Sequence, residues 1–283
     1  MVLQDIRTCP TYCINLDRRT DRWQKFSAQP TLKEFTKFER FSAVDGSTID
    51  VKTDKRISLH TRQNIFRKYR RSDYEINTPG AIGASLSHFT LWKKLLDSDA
   101  EYMVVFEDDT VVDEKTMMLV DKLIPTLPAN WDIWLLGCHR WAFSGVPLTK
   151  DKKGWWKVRN FTGAHGYVIS RHAAEVLLQE QFPIETHVEY YICATAEMKD
   201  LKIIKHSLLR QTYFAEVEET DDSDTFDSKF SCPVCLIPDN YMYNGGFYMN
   251  GQNVHRILVG VAAAAFVGYG VYRGMKKLGG RSA

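Results

Sequence analysis

Two rhythms of apolar and polar positions alternate along the first 215 residues. Runs of strand length, "TYCINL" (11–16), "FERFSAVDG" (38–46), "YMVVF" (102–106), "DIWLLG" (132–137) and "GYVIS" (166–170), are continuous or period-two in apolar side chains. Between them lie stretches of helical period. One starts near Thr20, one covers about Glu114 to Ile124, and one, "SRHAAEVLL", opens with Ser170 as N-cap. Another runs from about Gly83 to Leu96, where Leu86, Phe89, Leu91, Trp92, Leu95 and Leu96 form a mostly one-sided apolar face. The alternation predicts an α/β fold, a mixed and mostly parallel sheet with helices on both faces. Ligands of such sheets bind beyond the carboxyl ends of the strands.

Beyond that region the pattern changes. "EVEETDDSDTFD" (216–227) is too charged to pack and reads as a solvated linker, continued by the turn-rich "NYMYNGGFYMNGQN". Residues 257–272, "ILVGVAAAAFVGYGVY", carry no charge and are bracketed by His255-Arg256 and by Arg273, Lys276 and Lys277. As a helix the run is about 24 Å long, short for a hydrocarbon core unless flanking residues snorkel. Gly260, Ala264 and Gly268 repeat every fourth residue, the spacing of close helix contact in lipid and a route to a homodimer. The expected organisation is therefore a domain over 1–215, a linker over 216–254 and a C-terminal membrane anchor with basic tail over 255–283.

The balance of 37 basic and 35 acidic residues gives a net charge of +2 and no drive toward nucleic acid, for which no motif is present. Cys9, Cys13, Cys138 and Cys193 sit among apolar neighbours like small core residues, which fits a reducing compartment. "CPVC" (232–235) has redox or half-zinc spacing without a second ligand pair, so structure or an opportunistic disulfide is favoured over metal. "MVLQDIRTCP" contains Asp5 and does not read as a signal peptide. The expected location is therefore membrane-associated with a cytosolic catalytic domain, ahead of an ER or Golgi lumen, although the basic residues after the apolar run complicate that topology.

The chemistry concentrates at "EYMVVFEDDT" (101–110), an apolar strand running into Glu107, Asp108 and Asp109. Alternation predicts Glu107 and Asp109 on one side and Asp108 on the other. Like charges so close raise one another's pKa unless a cation joins them, and a divalent metal on oxygen ligands is the natural occupant. An acidic loop exposed by chance is the plain alternative.

"YCINLDRRTDRW", "FSAVDG", "GAIGASLSHFTLW", "VVFEDDTVV", "WDIWLLG" and "GAHGYVISRHAAEVLL" occur in an order and spacing that resembles glycosyltransferase family 25, over about residues 11–215. The resemblance implies a GT-A nucleotide-sugar fold, inverting transfer from a UDP-sugar, commonly galactose, and a divalent cation, usually Mn2+, with Mg2+ as the other choice. It places the family's aspartate-x-aspartate-like signature on Glu107-Asp108-Asp109, with Asp109 on the metal, Glu107 sharing it or reaching the donor with Asp108. Asn15, Asp17 and Arg18 match the donor-binding segment, and Asp45-Gly46 would border the nucleoside. Gly83, Ser87 and His88 fall on the family's glycine and serine–histidine pair, with Ala84 in place of the usual cysteine. His88 reads equally as a hydrogen-bonded core histidine or a donor-site residue.

Inverting transfer needs a base for the acceptor hydroxyl. In "FPIETHVEYY", Glu185 matches a family aspartate, one methylene longer here, with Glu189 and Asp132 as rivals. The acceptor, a glycan or a hydroxylated protein, is not named by the sequence. "HRW" (139–141) and "WW" (155–156) could stack on sugar rings, although such clusters more often belong to a core. Two other classes compete: a haloacid-dehalogenase-type phosphatase, which would need an aspartate where Glu107 stands, and an inactive membrane-tethered sugar-binding protein.

Overall fold

The computed structural model describes residues 3–70, 72, 74–139, 144–148, 153–210 and 225. In chain order the elements are β1 (Thr11–Asn15), α1 (Thr20–Ser27), β2 (Phe38–Ser42), α2 (Leu59–Arg67), α3 (Pro79–Leu96), β3 (Tyr102–Glu107), α4 (Glu114–Leu123), β4 (Ile133–Gly137), β5 (Ser144–Pro147), β6 (Trp155–Asn160), β7 (Gly166–Ser170), α5 (Arg171–Gln179), α6 (Val188–Lys199) and β8 (Ile203–His206). The chain divides into two compact units, 1–237 and 238–283. The second lies wholly outside the described residues, as do the apolar run 257–272 and Cys232 and Cys235. Among the described residues no helix is long and apolar enough to cross a membrane.

Eight strands form one sheet in the order β2-β1-β3-β7-β4-β8-β6-β5. The expected α/β class is present, but the sheet is not mostly parallel. Of seven ladders, only β1–β2, β1–β3 and β4–β8 are parallel, because β7 runs against both β3 and β4 and the β5–β6 hairpin is added antiparallel at the edge. The carboxyl ends of β1, β2, β3 and β4 therefore share one edge with the start of β7.

Central strands are apolar on both sides because both sides are covered. Met103, Val105, Leu135, Tyr167 and Ile169 join a core with Leu91, Trp92 and Leu95 of α3, Leu177 of α5 and Ile192 of α6. Val104, Phe106, Trp134, Leu136 and Val168 join a second core with Phe26 of α1 and Met117 and Val120 of α4. Burying each large apolar side chain contributes about 1.5–3 kcal/mol. Trp155 belongs to the second core, tilted against Trp134 with ring centroids 5.8 Å apart and donating Nε1–H to Thr126 Oγ1 at 3.1 Å. It is unavailable to a sugar. Cys9, Cys13 and Cys193 are buried free thiols, as their neighbours imply.

Helix caps follow the sequence. Thr78, Asp113 and Ser170 accept from the backbone N–H of Ala81, Thr116 and Ala173 at the starts of α3, α4 and α5. Thr78 also donates Oγ1–H to the carbonyl of Thr225 at 2.8 Å, so one residue of the acidic run docks on α3 rather than standing free in solvent.

Candidate active site

The cluster is built at the shared edge. β3 ends at Glu107, and Asp108-Asp109 form a turn closed by Thr110 N–H donating to the Glu107 carbonyl at 3.1 Å. Asp109 stands between the two neighbours: its Oδ2 lies 3.9 Å from Arg22 Nη1, and the charge of Glu107 bears on it as well.

Asp108 is fully engaged. Arg22 Nη1 donates to its Oδ1 at 3.0 Å and Asn15 Nδ2 to its Oδ2 at 2.6 Å. Burial still pushes its carboxyl above the usual range, against the pull of Arg22 and Asn15. Asp109 differs: its Oδ1 is buried with no hydrogen-bond partner. Burial first, and the charge of Glu107 second, push it up to about 7. Glu107 goes the other way. Burial works to raise it, but the hydrogen bond from His88 Nε2 to its Oε1 (3.3 Å) holds it below its ordinary value.

Asp109 and Glu107 thus fit a divalent cation: two adjacent carboxylates, one with an unmatched buried oxygen, the other held ionised. Asp108 is less suited, since each of its oxygens already accepts a hydrogen bond, from Arg22 and from Asn15. Among the described residues no group of three or more His, Cys, Asp or Glu is arranged to hold a metal by itself. A cation here would need oxygens from its ligand, as a diphosphate supplies.

Asn15 accepts Arg40 Nε–H at 2.7 Å, and Arg40 Nη2 reaches Asp17 at 2.8 Å. Ser42 Oγ–H also donates to Asp17, at 2.7 Å, and Arg40 lies over the Trp23 ring at 5.6 Å. Arg18 Nε meets Asp45 Oδ2 at 3.1 Å, an exposed pair, while Asp45 also accepts Ser47 N–H. Asn15, Asp17, Arg18 and Asp45 therefore form a polar rim beside the carboxylates.

Gly46, Gly83 and Ser87 form a backbone lock behind that rim. A Cβ on Gly46 would lie 1.9 Å from the Pro79 carbonyl oxygen, and one on Gly83 2.3 Å from the Val44 carbonyl oxygen. Ser87 Oγ accepts Val44 N–H at 2.9 Å and donates to the Gly83 carbonyl at 2.7 Å. α3 starts at Pro79, four residues before the expected start, so Gly83 lies inside the helix. His88 is a hydrogen-bonded core histidine that also touches the cluster: Nδ1 meets the hydroxyl of Tyr167 and Nε2 reaches Glu107.

The three candidate bases separate. Asp132 stands at the opposite edge, beside the end of β7, where it pairs with His172 Nδ1 at 2.8 Å and accepts Lys202 N–H at 2.7 Å. The structure does not bring it to the cluster. Glu185 is exposed, its backbone carbonyl accepting Thr61 Oγ1–H at 3.3 Å. Glu189, in the first turn of α6, accepts Gly163 N–H at Oε1 (3.4 Å). Gly163 has φ +77, and a Cβ there would strike the His139 ring at 2.6 Å. His139 stacks on His165 with centroids 6.1 Å apart, and the His165 carbonyl accepts Glu107 N–H at 2.9 Å. Glu189 is thus linked to the carboxylates through one continuous wall.

Sequence reasoning missed Arg22, Arg40, His165 and Gly163, and named His139 only within the aromatic "HRW". Arg22 had a signal, lying in the quoted "DRRTDRW"; "GAHG" supplied Gly163 and His165 as motif residues without a role.

The sequence profile of "Glycosyltransferase family 25 (LPS biosynthesis protein)" matches residues 8–192. Human procollagen galactosyltransferase 2 is 25% identical over 219 residues, 68% of this chain and 33% of that protein. A glycosyltransferase 25 family member of Anopheles gambiae is 26% identical over 183 residues, 60% of this chain and 28% of that protein. The lipooligosaccharide biosynthesis protein lex-1 of Haemophilus influenzae is 30% identical over 115 residues, 37% of each. The chain thus spans about a third of the length of these relatives. Among solved structures, apo-UDP-glucose pyrophosphorylase aligns with a TM-score of 0.35 and 8% identity over 72% of this chain and 75% of that one, too low to carry an argument. The matched region runs from before β1 into α6 and contains all six motifs and the whole carboxylate cluster, and the chain belongs to glycosyltransferase family 25.

Proposed function

We propose that the chain, on a GT-A-type fold, moves a hexose, galactose first among the candidates, from a UDP-sugar to a hydroxyl of a glycan or hydroxylated protein, with inversion at the anomeric carbon. The observation that carries this is the buried, unmatched Oδ1 of Asp109 beside an ionised Glu107, in a chain of this family. Asp109 and Glu107 would hold Mn2+ or Mg2+, which when bound neutralises the charge developing on a departing diphosphate. Asp108 fixes Arg22 and Asn15 and so shapes the pocket without touching the cation. Asn15, Asp17, Arg18 and Asp45 form the rim for the nucleoside, backed by the Gly46–Gly83 lock.

Glu189 is the base on this reading, because it stands on the wall that leads to Glu107. Its carboxylate takes the proton of the acceptor hydroxyl as that oxygen bonds to the anomeric carbon. The bond to the diphosphate breaks, and UDP leaves with the electron pair. The donor relatives and acceptor classes named above enter only as candidates: procollagen galactosyltransferase 2 supports a galactosyl donor and lex-1 a glycan acceptor. The apolar run 257–272, outside the described residues, would tether the domain to a membrane or pair two copies.

Purified protein with UDP-galactose and a panel of acceptors should release UDP in Mn2+ and not in EDTA. Glu189→Gln should lower kcat about 100-fold with donor KM near the wild-type value, while Glu185→Gln stays active. The reverse pattern moves the base to Glu185, and full turnover in EDTA rejects the cation.

A further inference from the structure

We propose that Trp92 and Tyr167 are positioning residues of the donor site: they lock His88 in the tautomer that carries its proton on Nε2 and so aim that N–H at Glu107. The inference rests on the reading of Glu107 as a donor-site carboxylate.

The geometry is a chain of three hydrogen bonds through the core. Trp92 Nε1–H, which can only donate, meets the Tyr167 hydroxyl at 2.9 Å. The same hydroxyl lies 2.8 Å from His88 Nδ1, and His88 Nε2 lies 3.3 Å from Glu107 Oε1. His88 and Trp92 are one turn apart on α3 and share a face. Tyr167 sits on β7, in register with Val105 of β3 and Leu135 of β4 at the middle of the sheet. All three side chains are buried.

Counting protons fixes the direction. Burial pushes the Tyr167 phenol far above its ordinary value, so its proton stays on. The oxygen already accepts from Trp92, and the phenolic proton has His88 Nδ1 to go to. Nδ1 must then be the bare, accepting nitrogen, and the imidazole proton sits on Nε2, facing the carboxylate. Glu107 Oε1 is thereby committed to His88, and the other oxygen is presented outward. Without the Tyr167 hydroxyl, both tautomers become available and the donor to Glu107 is no longer guaranteed. A Trp and a Tyr that look like core packing would thus set the orientation of a site carboxylate three and two hydrogen bonds away.

Tyr167→Phe keeps the ring and removes the hydroxyl. With UDP-galactose as donor its KM should rise about tenfold, the loss of one hydrogen bond to a charged group, because Glu107 would help hold the cation through which the donor binds, whatever smaller fall follows in kcat. Damage to packing alone would lower kcat through a smaller active fraction and leave KM unchanged. Nitrogen-15 NMR of imidazole-labelled wild-type protein should show His88 Nδ1 bare and Nε2 protonated, and Tyr167→Phe should shift that pattern. Should Tyr167→Phe not fold, Trp92→Phe removes one N–H from the same chain and should raise KM by a smaller factor. A wild-type His88 protonated on Nδ1, or a variant with unchanged KM, overturns the inference. If no UDP-sugar is turned over by the wild type, the proposed function fails while the NMR measurement still decides the relay.

Discussion

Asp109 carries the sharpest consequence at the scale of single residues. Its carboxyl sits near pH 7, raised from 3.8 by burial and by the charge of Glu107. The folded state therefore binds a proton that the unfolded chain releases between about pH 4 and 7. Stability from this group is fully present below about pH 4 and is lost as pH rises through about 7. In EDTA-treated protein at pH 8, Asp109→Asn should raise the thermal midpoint by several degrees, and at pH 5 the gain should shrink. The same variant should lose transfer, and Mn2+ should raise the midpoint of the wild type but not of the variant. Equal midpoints at pH 8 would show that the buried oxygen carries no cost. Glu107, Asp108, Asp109 and His88 were legible in the sequence because they end or face an obvious strand. Arg40 was not, since it matters only through contacts with Asn15 and Asp17 from another strand end, and no local pattern records such a meeting.

Among the elements, α3 is held against the turn at Gly46 by backbone contact rather than side-chain packing. Gly83→Ala would drive a methyl to 2.3 Å from the Val44 carbonyl, and backbone on both sides cannot yield as a side chain would. The substitution should cost about 1–3 kcal/mol in urea unfolding, and the shift of α3 should carry His88 away from Glu107. A variant as stable as wild type would mean that the lock is loose. Periodicity found β1, β3, β4, β7, α3, α4 and α5 to within a few residues, because strong apolar runs decided them. It overlooked α2, whose Leu59 and Phe66 are exposed and give no buried stripe, and β5, which at "SGVP" has no apolar alternation to read. α6 was readable: Val188, Ile192, Cys193 and Ala196 mark one helical face. Strand direction was hidden altogether, since β7 is apolar on both sides whichever way it runs.

For the whole molecule, one contact bears on how far past residue 210 the packed chain extends. Thr225 bonds to the cap of α3, so the folded unit reaches at least that far. Truncation after Asn253 should therefore keep transfer activity while removing any flotation with membranes that the full chain shows, whereas truncation after residue 215 should lower the thermal midpoint by exposing the α3 cap. A full chain that never floats, in carbonate or in high salt, removes the tether from the proposed function.

The reversed strand β7 has a further consequence. It divides the sheet into two blocks, β2-β1-β3 on one side and β4-β8-β6-β5 on the other, whose strands are hydrogen-bonded to one another only through it. The carboxylates and the polar rim hang on the first block, while His139 follows β4 and Glu189 stands beyond the second. On the proposed reading, lineage or laboratory recombination could exchange the segment between β4 and β7 and alter which hydroxyl is glycosylated, while inheritance of the nucleotide preference stays with the part of the chain that ends at Thr110.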